Sequence, residues 1–450
     1  MFFNTRNLGK DVRVVTLLLA FTQPFFSQSQ PAKAIPYNLS IKDAITYSKN
    51  NNKWIQIAKK EQTVVEHEKK DAINGILPQM NVGGGYQRFS NLTLYTDGLG
   101  GAESGPRRPS PNGANLGFDA SFNIYSGGRN KALIEEASIR KDLATLNTEE
   151  LSGNIGLQTV AQYLDLVRLN DLKRYISDQL ERAEARLMNI NSLFENQKVT
   201  RSDVLRAEVM LSNVRLNLQQ VQNDLSITNQ KLNVLLDLPE DQVVIPTDSA
   251  GIPKPALPAL ETTLQSLEST AYPIQRSKLN IQAQEARLKG VKSNNLPSLY
   301  FTTAYNFTYP NYLFYPPVDQ LYSIGFVGLK VQYNISSLYH NKHKTSYTTI
   351  RIDELKVQRE AIEDNAKQEI KSYYIKYGEA LNRISVNEKS VEQARVNYKI
   401  VSTKYFNQLA LLTDLLDADN LYQESRFNLV KAQTEALFIY YKLQFSIGNL

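Results

Sequence analysis

A constant shift of 211 positions lays residues 194–239 on residues 405–450 without a gap. Asn196 falls on Asn407, Gln197 on Gln408, Asp203 on Asp414, Leu205 on Leu416, Ala207 on Ala418, Arg215 on Arg426 and Lys231 on Lys442. The same shift carries Phe122-Asn123-Ile124 onto Tyr333-Asn334-Ile335, and a slightly different one carries Leu77-Pro78 onto Leu296-Pro297. Register kept over whole segments points to duplication of most of the chain. Each half reads as helix, strand pair, very long helix, turn and helix, at 35–238 and 259–450, with a linker at 239–258. So long a period suits two pseudo-equivalent halves rather than a solenoid.

Proline decides how far the helices run. None occurs between Asn112 and Leu238 or after Pro317, so both windows lack the residue that most reliably ends a helix. Helical hairpins are expected at 130–238 and 341–450. A run such as 131–193 reaches on the order of 95 Å at about 1.5 Å per residue, several times the diameter of a small domain. The expected molecule is elongated.

Residues 1–34 stand apart. Arg6, Lys10 and Arg13 precede an apolar run at 14–21, and Ala32-Lys33-Ala34 has the small-residue spacing of a cleavage site, which reads as a secretory signal peptide. As a membrane-spanning helix the run is well short of about 18 residues, and Pro24 follows it at once. The chain has no cysteine, so neither a lipidated cysteine nor a disulfide is available to it. A formal net charge of +6 is small for 450 residues, and no basic stretch interleaved with aromatics marks a nucleic-acid module.

After the signal, a short amphipathic helix is expected at 39–51 with Ser40 as its N-cap, then a second from Trp54 to about Ile76, stopped by Leu77-Pro78. The period then changes. At 115–125, Leu116, Phe118, Ala120, Phe122 and Ile124 alternate with Asn115, Gly117, Asp119, Ser121 and Asn123, and Leu329, Val331, Tyr333 and Ile335 alternate with Gly328, Lys330, Gln332 and Asn334. Strands are thus expected near 80–89, 115–125, 298–307 and 322–335, each about the 9 to 11 residues with which a tilted strand crosses a bilayer. A half-buried sheet in a soluble α+β protein would need helices over its apolar side. The aromatic content points instead to membrane strands, as do the long loops at 91–114 and 308–321, the second carrying Tyr309, Tyr312, Phe314 and Tyr315 among Pro310, Pro316 and Pro317.

Four strands cannot close a barrel. Open strand edges are not tolerated in hydrocarbon, where each unpaired N–H or C=O costs several kcal/mol, and a bacterial barrel needs at least about eight strands. Several copies must share one barrel; two would give about eight strands around a filled interior, three about twelve around a passage, with cyclic symmetry in either case. The long helices fit such an assembly. Tyr377, Ile384, Val391, Tyr398 and Tyr405 recur every seven residues, the spacing that keeps a seam on a neighbouring helix.

These residues carry a resemblance. Leu39-Ser40-Ile41-Lys42-Asp43-Ala44-Ile45 followed by Asn50-Asn51, the Leu77-Pro78 and Leu296-Pro297 strand entries, Phe122-Asn123-Ile124-Tyr125-Ser126-Gly127-Gly128-Arg129, and Leu412-Thr413-Asp414-Leu415-Leu416-Asp417-Ala418 occur in the order seen in the TolC family of outer-membrane efflux proteins. The resemblance covers essentially the mature chain. It implies an α+β membrane fold, a homotrimer in which each protomer gives four strands to a twelve-stranded barrel continued by a long periplasmic helical barrel. It also implies partners: a periplasmic adaptor of the membrane fusion protein class, an inner-membrane pump and outer-membrane lipid. Adaptors dock on the hairpin turns of that family, here Asn196, Gln197, Asn407 and Gln408.

By the same resemblance Asp414 and Asp417 match two acidic positions of the pore-lining helix. Three residues apart, they share a helix face, and in a trimer they form stacked carboxylate rings that favour cations. Asp203 and Tyr405 match positions that hold the family's entrance shut, but the arginine that completes that lock is Ala410 here, and the glycine of both turns is Gln197 and Gln408. The residues themselves leave another role open: Asp203 or Ser202, and Thr413 or Asp414, are competent helix N-caps.

Enzyme chemistry has little to stand on. His340 and His343 could share a helix face, but no cysteine or convergent carboxylate joins them to make a metal site, and the glycines at 83–85 and 98–101 lack a phosphate-loop context. With Lys342 and Lys344 the two histidines follow a strand pair, as Arg129 and Lys131 do in the first half, which suits an anionic lipid surface. No cofactor is expected. The expected function is a passive duct of a tripartite efflux or type I secretion system, gated at its periplasmic tip. The other reading is an exported trimeric coiled-coil structural or adhesive protein that does not conduct.

Overall fold

The computed structural model describes residues 38–90, 94–95, 98–103, 111–248, 255–311, 313 and 318–450. The signal segment at 1–34 and the loop residues Tyr312, Phe314, Tyr315, Pro316 and Pro317 lie outside the described residues.

The described chain opens with a short strand, β1 (Asn38–Leu39), and helices α1 (Ile41–Asn51) and α2 (Lys53–Asn74). Ser40 caps α1 as expected, its hydroxyl accepting from Asp43 N–H, and Asn52 caps α2 by accepting from Trp54 N–H. Helix α2 stops at Gly75, just ahead of the Leu77-Pro78 pair. Strand β2 (Gln79–Arg88) follows, then the short pair β3 (Leu94–Tyr95) and β4 (Ala102–Glu103), and the long β5 (Asn112–Tyr125). Helix α3 (Arg129–Glu195) turns back into α4 (Arg201–Leu236), and a short strand, β6 (Ile245–Pro246), pairs in parallel with β1. The second half repeats the order: α5 (Leu260–Thr270), α6 (Tyr272–Ser293), β7 (Ser298–Tyr309), β8 (Tyr322–Gln332), α7 (Ser337–Phe406) and α8 (Leu412–Ser446).

Proline-free sequence does produce very long helices. At 67 and 70 residues, α3 and α7 each run about 100 Å. No helix among the described residues is long and apolar enough to cross a membrane. Each long helix packs on its hairpin partner, and α3 also packs on α1, α2, α6 and α8. The heptad seam of α7 faces α8: Tyr377, Ala380 and Ile384 pack with Ala432 and Ala436, and Tyr405 closes the stripe near the turn. Another cluster joins Ile41 and Ala44 of α1 to Val160, Tyr163 and Leu164 of α3 and Leu437 of α8. There the Tyr163 hydroxyl lies 2.8 Å from both Leu39 O and the Asp248 carboxylate, which also accepts Ile41 N–H at 2.8 Å. Burial, reinforced by the Asp248 contact, pushes the Tyr163 phenol far above its ordinary range.

Four strands form one antiparallel sheet in the order β2-β5-β7-β8, so the two halves meet at the β5–β7 pairing. Across the sheet Val82 pairs with Phe118, Phe118 with Tyr305, and Phe122 with Phe301, which in turn pairs with Leu329. Paired residues point to the same side. One face therefore carries Met80, Val82, Leu116, Phe118, Phe301, Tyr305, Phe307, Val327, Leu329 and Val331 in adjoining rows, and all of them are exposed, Val82 at 76% and Val327 at 71%. The opposite face carries Asn81, Gly83, Asn115, Asp119, Asn306 and Lys330, with Tyr300, Tyr322, Ile324 and Phe326 among its large members. All ten residues of β2 are exposed, and no helix packs along either face among the described residues.

Strand ends differ from expectation by up to three residues: β5 starts at Asn112 rather than 115, β7 runs to Tyr309 rather than 307, and β8 ends at Gln332 rather than 335. Tyr333, Asn334 and Ile335 do not continue the fourth strand, because β7 begins at Ser298 opposite Gln332 and Pro297 before it has no N–H to extend the ladder. Asn334 instead starts the turn into α7, its carbonyl accepting from the Ser337 N–H and, at 2.6 Å, from the Ser337 hydroxyl.

Candidate gate at the hairpin turns

Both hairpins turn in the same way. Gln197 and Gln408 take left-handed φ of 58° and 61°, and Lys198 N–H returns to Leu193 O as Leu409 N–H returns to Lys404 O, closures that satisfy carbonyls orphaned at the helix ends. Asn196 and Asn407 donate their side-chain amides to Ser192 O and Thr403 O at 2.7 and 2.8 Å. Glycine takes a left-handed conformation at no steric cost; two glutamines there leave exposed amides at each tip.

Asp203 and Asp414 occupy equivalent places one turn further on, and neither is an N-cap. Thr200 caps α4: its hydroxyl accepts from Asp203 N–H, while Asp203 accepts the Thr200 N–H at 2.9 Å and the hydroxyl at 2.7 Å, a reciprocal capping box. Ser202 takes no part in it. In the second hairpin the cap position is Leu411, which has no side-chain acceptor, so only half of the box survives: Asp414 accepts Leu411 N–H at 3.0 Å. Asp414 and Asp417 are exposed, whereas Leu412, Leu415, Leu416, Ala418 and Asp419 make up the buried side of α8. The two carboxylates predicted for the pore thus stand together, away from the packing face.

Tyr405 brings the two tips together. It packs with Ile190 of α3, Val204 and Ala207 of α4, and Leu412, Leu415 and Leu416 of α8. Its hydroxyl is buried without a hydrogen-bond partner, so no bond joins it to Asp203. Burial pushes the phenol above its ordinary range, the nearby Asp203 charge adds to that, and Arg186 pulls the other way.

Arg186 belongs to a network that the sequence reading missed. Asp419, 1% exposed, accepts from Arg186 at 2.9 Å and from Arg182 at 3.2 Å, tying α3 to α8 across the two hairpins. Arg182 lies over the Tyr398 ring, which stacks on Tyr422, and Arg426 of α8 sits 3.6 Å over the ring of Tyr175 on α3. Two arginines four apart on α3, and an aspartate just after the buried Leu415, Leu416 and Ala418 of α8, were the available signal.

Comparison with known proteins agrees with this architecture. Residues 45–237 match the family of outer membrane efflux proteins. That segment, under half of the chain, resembles the family. No curated protein matches the sequence closely. Among solved structures, the outer membrane protein VceC from Vibrio cholerae is 15% identical with a TM-score of 0.74, over 91% of this chain and 96% of that one. CusC, described with transmembrane channel formation, is 15% identical with a TM-score of 0.77, over 94% and 96%. The open state of the Neisseria gonorrhoeae MtrE outer membrane channel is 15% identical with a TM-score of 0.74, over 93% and 94%. The efflux-protein fold therefore extends over both halves, well past the segment that matches the family in sequence.

Proposed function

We propose that three copies of this chain close a twelve-stranded barrel across the outer membrane and continue it with their hairpins as a periplasmic tube. The tube is the passive exit duct of a tripartite efflux or type I secretion system, and no step of it is enzymatic. The observation that carries this reading is the sheet: both faces exposed, one of them bearing adjoining apolar rows, and two long edges, on β2 and β8, with no partner among the described residues. In water such a sheet invites aggregation; in lipid its edges must be paired, and only further copies can pair them. Helices covering the apolar face, as a soluble α+β protein would have, are absent among the described residues.

The hairpin tips are the gate. Asn196, Gln197, Asn407 and Gln408 present the surface on which a periplasmic adaptor docks, with an inner-membrane pump behind it. Asp414 and Asp417 form two rings of carboxylates at the narrow end of the pore. Asp203 and Tyr405 hold the tips together by packing and charge rather than through the tyrosine hydroxyl. Purified protein in detergent should have the mass of three chains and give discrete, cation-preferring conductance steps in planar bilayers. A monomer in detergent, or a trimer with no unitary conductance, would overturn the proposal and favour the non-conducting stalk.

A further inference from the structure

We propose that a belt of cations immediately below the strands binds the headgroups of acidic phospholipids in the membrane leaflet nearer the helices; this rests on the barrel reading above. Three chain junctions meet there. The β5–α3 turn touches the α6–β7 turn, where a Cβ on Gly127 would meet Leu296 Cβ and Ser293 O. The first turn of α7 is pinned to the same place, its Asn341 amide donating to Val291 O at 2.7 Å and to Asn295 at 3.0 Å.

Segments 126–134, 289–300 and 330–348, which make up these junctions, contain no Asp or Glu at all. They hold Arg129, Lys131, Lys289, Lys292, Lys342 and Lys344, together with His340 and His343, besides Lys330 on the polar sheet face. The acid bonded to one of them is Glu135, held by Lys289 at 2.7 Å. Net positive charge is thus concentrated at one level of the molecule, where the apolar sheet face stops.

Exposed apolar and aromatic groups lie among these cations, which distinguishes the belt from an ordinary solvated surface. Tyr125, Leu338, Tyr339 and Tyr347 are exposed at 47%, 57%, 64% and 54%. On α7 the residues buried against its neighbours are Ser337, Asn341, Thr348 and Ile352. At about 100° per residue Tyr339, His343 and Ile350 fall on the opposite side. Tyrosines with a wet end and an apolar body, interleaved with lysines whose stems can lie along acyl chains, are the composition of a membrane–water boundary. Polybasic segments at such a boundary draw in anionic lipid.

The test compares lipids kept by the full-length trimer. Protein is placed in nanodiscs of phosphatidylcholine mixed with phosphatidylglycerol, extracted into detergent, and its retained lipids are counted by native mass spectrometry. Phosphatidylglycerol should be enriched over its share of the bilayer, and the enrichment should fade as salt is raised toward about 1 M, where screening acts within about 3 Å. In the triple variant Arg129→Gln, Lys342→Gln, Lys344→Gln the enrichment should drop by at least about tenfold. Equal retention of both lipids by the unmodified protein, or enrichment untouched by high salt, overturns the proposal. So does displacement of the lipid by millimolar inorganic phosphate, which would make the belt a site for free anions. A chain that enters no bilayer of either composition refutes the barrel itself, a result distinct from insertion without lipid preference.

Discussion

Replacing Asp419 by alanine is the most demanding test of how the two hairpins are joined. The carboxylate is 1% exposed, and it neutralises Arg186, itself 7% exposed, and Arg182, 26% exposed. Removing it leaves a guanidinium buried beside α8 with no counter-charge and strips a second one of its partner. Breaking a buried pair from one side costs about 3–5 kcal/mol, far more than the roughly 0–1 kcal/mol of a surface pair. Asp417, two residues earlier and exposed, supplies the control: its alanine variant should stay within about 0.5 kcal/mol. Guanidinium unfolding followed by helical circular dichroism, at one protein concentration in one detergent, measures both. If desolvation is the cause, the combined variant Arg182→Met, Arg186→Met, Asp419→Leu should recover most of the loss, since an apolar triad of similar volume removes the stranded charges along with the bond. A loss below about 1 kcal/mol for Asp419→Ala, or failure of the apolar triad to recover anything, would refute the claim that this network clamps α3 to α8.

Other expectations concern the tips. Gln197→Gly and Gln408→Gly should each stabilise the chain by about 1 kcal/mol, because glycine relieves the left-handed φ of 58° and 61°; a loss in thermal unfolding would show that the glutamine side chains hold something the backbone does not. Tyr405→Phe removes a buried, unpartnered hydroxyl and should leave stability unchanged or raised by up to about 1 kcal/mol, whereas Tyr405→Ala should cost about 3–5 kcal/mol and raise resting conductance by loosening the tip cluster; a leaky Tyr405→Phe channel would restore a hydroxyl lock. Asp414→Ala and Asp417→Ala should each reduce cation selectivity in planar bilayers, and Asp414→Ala should also cost about 1 kcal/mol, because Asp414 alone accepts Leu411 N–H; unchanged reversal potentials in both would remove them from the pore.

What was legible in the sequence is what local patterning encodes. Helix length follows from the absence of proline, and strand faces follow from alternation, so the long hairpins and the apolar rows through Phe118 and Leu329 could be read before any coordinates existed. The N-caps were misplaced by two or three residues because Ser202, Asp203, Thr413 and Asp414 are all good capping types, and composition alone does not say where a turn ends. The spacing of Thr200 and Asp203 was the better guide, since a capping box needs its two members three apart. The Asp419 network was out of reach for a different reason: its partners lie more than 230 residues away, and which face of α3 meets which face of α8 depends on how the two hairpins lie together. The sheet poses the reverse case. Its pattern calls for an apolar covering and for partners on two edges, and the described residues supply neither. A mismatch between what the pattern requires and what the chain provides is itself information about surroundings. The proposal of lipid over the apolar face and further copies along the edges rests on that mismatch, which strand geometry supplies independently of any relative.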